Sequence, residues 1–389
     1  MTLLEDDGLP PHKAWPLLFV GTHRRAHRAD PEDIAFGIYA FRIDPSGGAD
    51  SMMPCGMTHA AQPGWISVHP AGKFLYVVNE VRTLDGRDGG AVSAFAIDRE
   101  NGALSLLVSR PLPPMPCHCT VDASGRFLIV ATFGGGSVHL FPIEPDGGIG
   151  QECDRHIHSG SSLHPQRQTH PHAHAVLLSP DNRFVLVPDL GTDSLLIYGL
   201  DSGNGRLIPR PEKAVKLPPL SGPRHGVFAP DARHFYLINE MSATLTVYDW
   251  QAKEGRLVSI QAVDLLPPDF DGLRSGAAIE IHPSGRFLYA TTRSHGSSGM
   301  PSKPGQDLLI WLHIDLYSGL LTLGDRLDSG GGIPRSIALS PDTRQLHVAH
   351  QCSGNLIAFN LIDGVPSPTG QVTKTPVPVC MAFAPSPAD

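Results

Sequence analysis

The chain has 389 residues, a net charge of −8 and no run of about 18 apolar residues, so neither a nucleic-acid surface nor a membrane span is expected. Its 41 glycines and 37 prolines imply many turns and few long helices. Length alone suggests two or three domains.

Residues 1–14 read as a flexible tail, and 17–21 and 37–44 as strands. A unit then begins that recurs along the chain: a short apolar run, a turn, a second apolar run and a polar pair. It is first seen as Val68-His69-Pro70-Ala71-Gly72-Lys73-Phe74 continuing to Asn79-Glu80. The turn residue falls at positions 70, 123, 180, 230, 283 and 341. Each hairpin precedes a third alternating run, such as 92–98, 138–144, 195–201 or 309–315. A more polar fourth run comes next, such as 104–110 or 256–263. Four antiparallel strands every ~50 residues form a propeller blade, and blades bury both faces only by stacking around an axis. A truncated seventh copy, 380–384, stops after its first strand, whereas the chain opens on a second strand. The late strand is therefore expected to complete the N-terminal blade. The fold class is all-β, a closed seven-bladed propeller of four-stranded blades, with 1–389 as one domain.

Three insertions interrupt the period, at 152–174, 265–278 and 294–306, and loops of this length on a rigid scaffold tend to carry function. The first holds His156, His158, His164, His170, His172 and His174. It has neither an HExxH motif nor a cysteine partner set, so no metal and no cofactor are expected. Cys117 and Cys119, two apart on a strand, are expected on one face. The six cysteines form no CxxC pair, and the acidic start lacks a signal peptide's basic region, which suggests a cytoplasmic protein with reduced thiols.

A hairpin places the residues ahead of its first strand beside those that come after its second. The first set reads Trp65, His118, His174, Arg224 with His225, Ala278, Arg335 and Cys380. The second reads His23, Glu80, Phe133, Asp189, Glu240, Arg293 and Gln351. Arginines, histidines and carboxylates thus converge on one funnel, which suits a small polyanion. Asp189 is expected to bond the backbone of its own Asp-Leu-Gly-Thr turn.

The segments His172-Ala173-His174, Gly222-Pro223-Arg224-His225, Asn239-Glu240, Arg293 and Pro334-Arg335 with Gln351 resemble the seven-bladed propeller lactonases. That family includes a bacterial 6-phosphogluconolactonase and a fungal carboxy-cis,cis-muconate cyclase. The resemblance runs through all blades and implies a catalytic set of His174, Arg224, Arg293 and Glu240, with no required metal. His118, His225, Arg335, Gln351, Glu80 and His23 are expected to contact substrate. The sequence departs from the family pattern in the basic stretch His23 to Arg28 and in the insertion after Arg293. Neutralising Arg24, Arg25 and Arg28 should weaken binding of an anionic substrate.

Three functions compete. A lactonase needs a base to activate water and cations for the oxyanion. A cycloisomerase would clamp a carboxylated muconate with the same arginines and deliver a proton to carbon. A non-catalytic scaffold would need no acid, base and cation set at its axis. Arginines around Glu240 should lower its pKa, leaving His174, at an ordinary value near ~6.5, as the better proton shuttle. The expected ligand is a small anionic lactone or dicarboxylate, and the sequence is silent on oligomeric state.

Overall fold

Blade five shows how the repeat folds. Four antiparallel strands, Pro223–Phe228, His234–Asn239, Thr244–Gln251 and Arg256–Asp264, run outward from the axis. The second strand, HFYLIN, is buried at every position because neighbouring blades cover both of its faces. The fourth strand mixes exposed and buried positions because it forms the outer edge. The computed structural model describes residues 15–23, 36–44, 52–294 and 306–385. The tail 1–14, the stretch Arg24 to Arg28 and most of the 294–306 insertion lie outside the described residues.

Five further four-stranded sheets and one five-stranded sheet, in blade four, complete a ring of seven. In blade one the innermost strand, Pro378–Phe383, pairs antiparallel with Leu17–Thr22, placing Leu18 opposite Phe383 and Val20 opposite Met381. The late strand therefore closes the ring, as the truncated repeat implied. Blades two, three, six and seven start with Pro63–Val68, Pro116–Val121, Gly276–Ile281 and Pro334–Leu339. Five innermost strands open on proline, which lacks an N–H and is tolerated on the free edge facing the axis.

Blades are fastened by a recurring contact. The hydroxyls of Tyr76, Tyr236 and Tyr289 donate to the carbonyls of Gly147, Gly319 and Gly364 in the next blade. Those glycines have φ of +84°, +70° and +83°, and a Cβ on any of them would lie 2.2 Å from Phe74, His234 or Phe287. Only glycine meets both demands.

The innermost strands carry a feature that the repeat does not display. Their pairing with the second strand slips by one residue near its start: Pro63/Trp65, Pro116/His118, Pro223/His225 and Pro334/Ser336. Each slip is a β-bulge, which redirects the side chains around it. One expectation fails for this reason. Cys117 and Cys119 do not share a face: the Cys117 thiol contacts the Ala173 and His174 carbonyls of blade four, and the Cys119 thiol contacts Tyr76 O of blade two.

Blade four departs most from the repeat. Its innermost strand shrinks to Leu177–Leu178, extended upward by an isolated bridge between Ala173 and Asp189. Its place is taken by the histidine-bearing insertion, tied down by local bonds. Gln168 Nε2 donates to Leu190 O, Ser162 Oγ to Asp193, and His158 pairs with Asp189 at 2.6 Å.

Candidate active site

Seven backbone bonds of one kind build the rim. The residue after each second strand donates its N–H to the residue preceding the innermost strand of the same blade: His23 to Val377, Glu80 to Gln62, Phe133 to Met115, Leu190 to His172, Glu240 to Gly222, Arg293 to Ser275 and Gln351 to Ile333. The expected second set is thus assembled with one correction. Asp189 is a residue early; Leu190 holds the rim position. Asp189 Oδ1 instead accepts from Thr192 N and His172 N, the turn-bonding role expected of it.

The expected first set also divides. Trp65, His118, His174, Arg224, His225, Ala278, Arg335 and Cys380 do not form one row ahead of the innermost strands. They lie in or beside those strands, in two rows, as alternation along a strand requires of neighbours such as Arg224 and His225. His174, Arg224 and Arg335 turn toward the rim carboxylates. Trp65, His118 and His225 form the second row and pack as a ring cluster, Trp65 stacked on His118 and His225 edge-on to His118, with ring centroids 4.2 to 5.3 Å apart. His174 sits 5.2 Å from the His225 ring.

Glu240 is the centre of the first row. Its Oε2 accepts from Arg224 Nε at 2.9 Å and Arg293 Nη2 at 3.0 Å, with His174 Nε2 at 3.8 Å. Its Oε1 accepts from Arg167 Nη2 at 2.6 Å. Blades five and six and the insertion ahead of blade four therefore each send a cation to one carboxylate. Across the funnel, Glu80 of blade two lies 3.2 Å from Arg335 of blade seven and 3.8 Å from His23 of blade one. Gln351 occupies its rim position, but its side chain bonds to neither cluster among the described residues.

Arg167 is the site residue that the repeat could not reveal, since it belongs to the insertion. The available signal was slight: it is the single arginine between His156 and His174. The histidines around it are individually engaged. His156 bonds Leu207 O, His158 bonds Asp189 and Tyr198, His164 accepts from the backbone N–H of Gln166 and Arg167, and His172 bonds Phe133 O. Among the described residues, no three His, Cys, Asp or Glu side chains come together in a metal-binding arrangement.

The electrostatics correct one expectation. Burial first, then Arg224, holds His174 well below 6.5 rather than near it, so the imidazole is neutral throughout the neutral range. Burial and Arg224 likewise lower His118 to about 3, burial lowers His225 well below 6.5, and burial lowers His23 to about 4. Burial by itself would raise Glu240, but Arg293, Arg224 and Arg167 overcome it and hold the carboxylate ionised well below its usual range. Burial and Arg293 lower Arg224 to about 9, still cationic at pH 7. Four guanidinium groups, two carboxylates and neutral histidines leave the funnel about two charges positive in an acidic protein. Three buried side-chain nitrogens of the funnel residues have no hydrogen-bond partner among the described residues: His23 Nε2, His174 Nδ1 and Arg293 Nε.

The model of a family described as lactonase, seven-bladed β-propeller, matches residues 18–383. The chain belongs to the seven-bladed β-propeller lactonase family. A 6-phosphogluconolactonase of Bacillus subtilis is 29% identical over 354 residues, spanning 89% of this chain and 94% of its own. A 6-phosphogluconolactonase of Formosa agariphila is 28% identical over 326 residues, 83% and 88% of the two chains. Among solved structures, a periplasmic gluconolactonase of Pseudomonas aeruginosa superposes with a TM-score of 0.84 at 29% identity, covering 96% of this chain and 99% of that one. No helix of this lactonase is long and apolar enough to cross a membrane among the described residues.

Beneath the ring cluster this lactonase has an axial cavity of about 350 Å³, bounded above by Trp65, His225 and Arg335 and reaching the opposite face at Pro341 and Thr343. Its walls include Glu280. The equivalent positions, paired like Glu280 with the third residue of the second strand, hold Ser67, Thr120, Leu177, Val227, Ala338 and Ala382. Burial without a counter-charge raises Glu280 to about 7. Between its unfolded value near 4.5 and about 7, the native state keeps a proton that the unfolded chain releases. This contribution is therefore fully present below that window and is lost as pH rises through it to about 7. The buried histidines act in the opposite sense, so the difference between two variants isolates the effect. Glu280→Gln is expected to exceed the wild type by about 1–3 kcal/mol at pH 8 and to match it near pH 4.5, measured by urea unfolding. A stability difference that does not change with pH would show that Glu280 is solvated.

Proposed function

We propose that this lactonase hydrolyses a small phosphorylated sugar lactone of the 6-phosphogluconolactone type, with His174, Arg224, Arg293 and Glu240 as its catalytic set. The observation that carries this reading is one ionised carboxylate gripped by three arginines beside a neutral, buried histidine. In this reading the lactone carbonyl lies against Arg224 and Arg293. His174 takes a proton from water as the oxygen attacks the carbonyl carbon. The carbonyl oxygen becomes an oxyanion facing the guanidinium groups, whose charge is worth more in a site shielded from water. Glu240 Oε2 steadies the imidazolium that forms. On collapse of the intermediate, the ring C–O bond breaks and His174 returns its proton to the departing alkoxide. Arg335 and Glu80 border the far side of the funnel, while Trp65, His118 and His225 supply a ring floor for the sugar.

Arg224→Lys tests the arginine geometry. Arg224 donates from Nε to Glu240 and from Nη1 to Ala277 O at 3.0 Å, a fork that lysine cannot copy. We expect kcat/KM to fall about 10- to 100-fold at unchanged net charge. If the arginine only fastens blades, the melting temperature falls while kcat/KM of the folded fraction stays intact.

The reading as a whole is tested on a panel of 6-phosphogluconolactone, unphosphorylated gluconolactone and carboxylated muconolactones. Turnover of the muconolactones alone would favour the cycloisomerase, and turnover of none would favour a binding scaffold. All six cysteines are unpaired, with Cys153 and Cys352 exposed, which supports a reducing compartment such as the cytoplasm.

A further inference from the structure

Three arginines hold Glu240, but they are not equivalent. Arg224 and Arg293 arise from the blades, and their side chains are 3% and 9% exposed; Arg167 arises from the insertion and is 34% exposed. Arg224 is doubly bonded. Arg167 spends a single side-chain N–H, on Glu240 Oε1, among the described residues. Its other donors are free to face the funnel mouth. Its backbone is nonetheless fixed. Arg167 N donates to His164 Nδ1, and the flanking Gln168 bonds Leu190 O and the His164 backbone. The insertion thus presents a rigidly based, solvent-reaching guanidinium over the one carboxylate oxygen that the blades leave uncovered.

We propose that Arg167 is the residue that reads the substrate's phosphate, leaving Glu240 Oε1 for a phosphate oxygen when the ligand enters. This rests on the lactonase reading for the identity of the ligand. A phosphate dianion offers a guanidinium two parallel charge-assisted bonds in place of the single one to Glu240. The exchange also leaves Glu240 Oε1 open to accept a hydrogen bond from a sugar hydroxyl or the attacking water. Binding of the anion and preparation of the site become one event. Arg224 and Arg293 stay on Oε2 throughout and keep the carboxylate ionised.

The experiment compares Arg167→Ala and Arg167→Lys with the wild type on 6-phosphogluconolactone and gluconolactone. Calorimetric binding of the open-chain acids, 6-phosphogluconate and gluconate, runs in parallel. The preference for the phosphorylated lactone, as a ratio of kcat/KM values, is expected to fall about 10- to 100-fold in Arg167→Ala, chiefly through KM. Arg167→Lys should restore part of that ratio, because charge remains and the fork is lost. Calorimetry should show the same loss of preference between the two acids. An equal loss on both lactones would mean that Arg167 merely supports Glu240, and would overturn the proposal. So would a wild type that binds both acids alike. If the wild type hydrolyses neither lactone but prefers 6-phosphogluconate, and Arg167→Ala abolishes that preference, the hydrolytic reading falls and Arg167 stands as the phosphate reader. Thermal melts of both variants confirm that the folded fraction is what is measured.

Discussion

His174→Ala is expected to lower kcat by about two to four orders of magnitude, the usual contribution of a positioned general base. KM should change far less, because the arginines that hold an anionic substrate remain. The pH profile separates this role from a structural one. Burial and Arg224 hold the His174 pKa well below 6.5, so the wild-type imidazole stays unprotonated and competent as pH falls through 6.5. Enzymatic kcat/KM, after subtraction of spontaneous lactone opening, should be level from pH 8 down to 6 and decline only below that. In His174→Ala the small residual rate should track hydroxide instead, rising with pH. An acid limb centred at 6.5 in the wild type would place the histidine in a solvated setting. Activity within tenfold of wild type in the variant would remove it from the mechanism.

Deleting residues 377–389 is expected to abolish cooperative folding rather than trim it. The lost strand buries Val379, Cys380 and Met381, which are 2%, 1% and 7% exposed. Burial of such side chains is worth about 1.5–3 kcal/mol each. Their sum approaches the whole stability of an ordinary domain, about 5–15 kcal/mol. The deletion also bares the inner edge of Leu17–Thr22 and removes the contact of Pro378–Phe383 with both neighbouring blades, leaving a sheet edge ready to pair with another chain. Circular dichroism melts and light scattering check this. A truncated protein that melts within about 3 °C of the full chain and stays monodisperse would show that the ring does not depend on its closing strand.

The ring was legible in the sequence, through the period, the turn residues and the incomplete first and last repeats. A strand pattern with period two and a turn at fixed intervals is local information, carried by neighbours in the chain. The same pattern placed Glu80, Glu240 and Arg293 on one rim, because a hairpin's ends must meet. Three features instead depend on how the blades pack. The bulges separated Cys117 from Cys119 in face, since a register slip depends on how two strands settle against the next blade rather than on either strand's composition, and the cluster that gathers Arg224, Arg293 and His174 on Glu240 needs three blades to be in place. The pKa of His174 came from burial against Arg224, a residue fifty positions away in sequence. Arg167 reached Glu240 from an insertion outside the repeat, across 73 residues of chain. A loop's path is set by the bonds it finds on the finished scaffold, here Asp189, Asp193 and Leu190, and these exist only once the blades have closed.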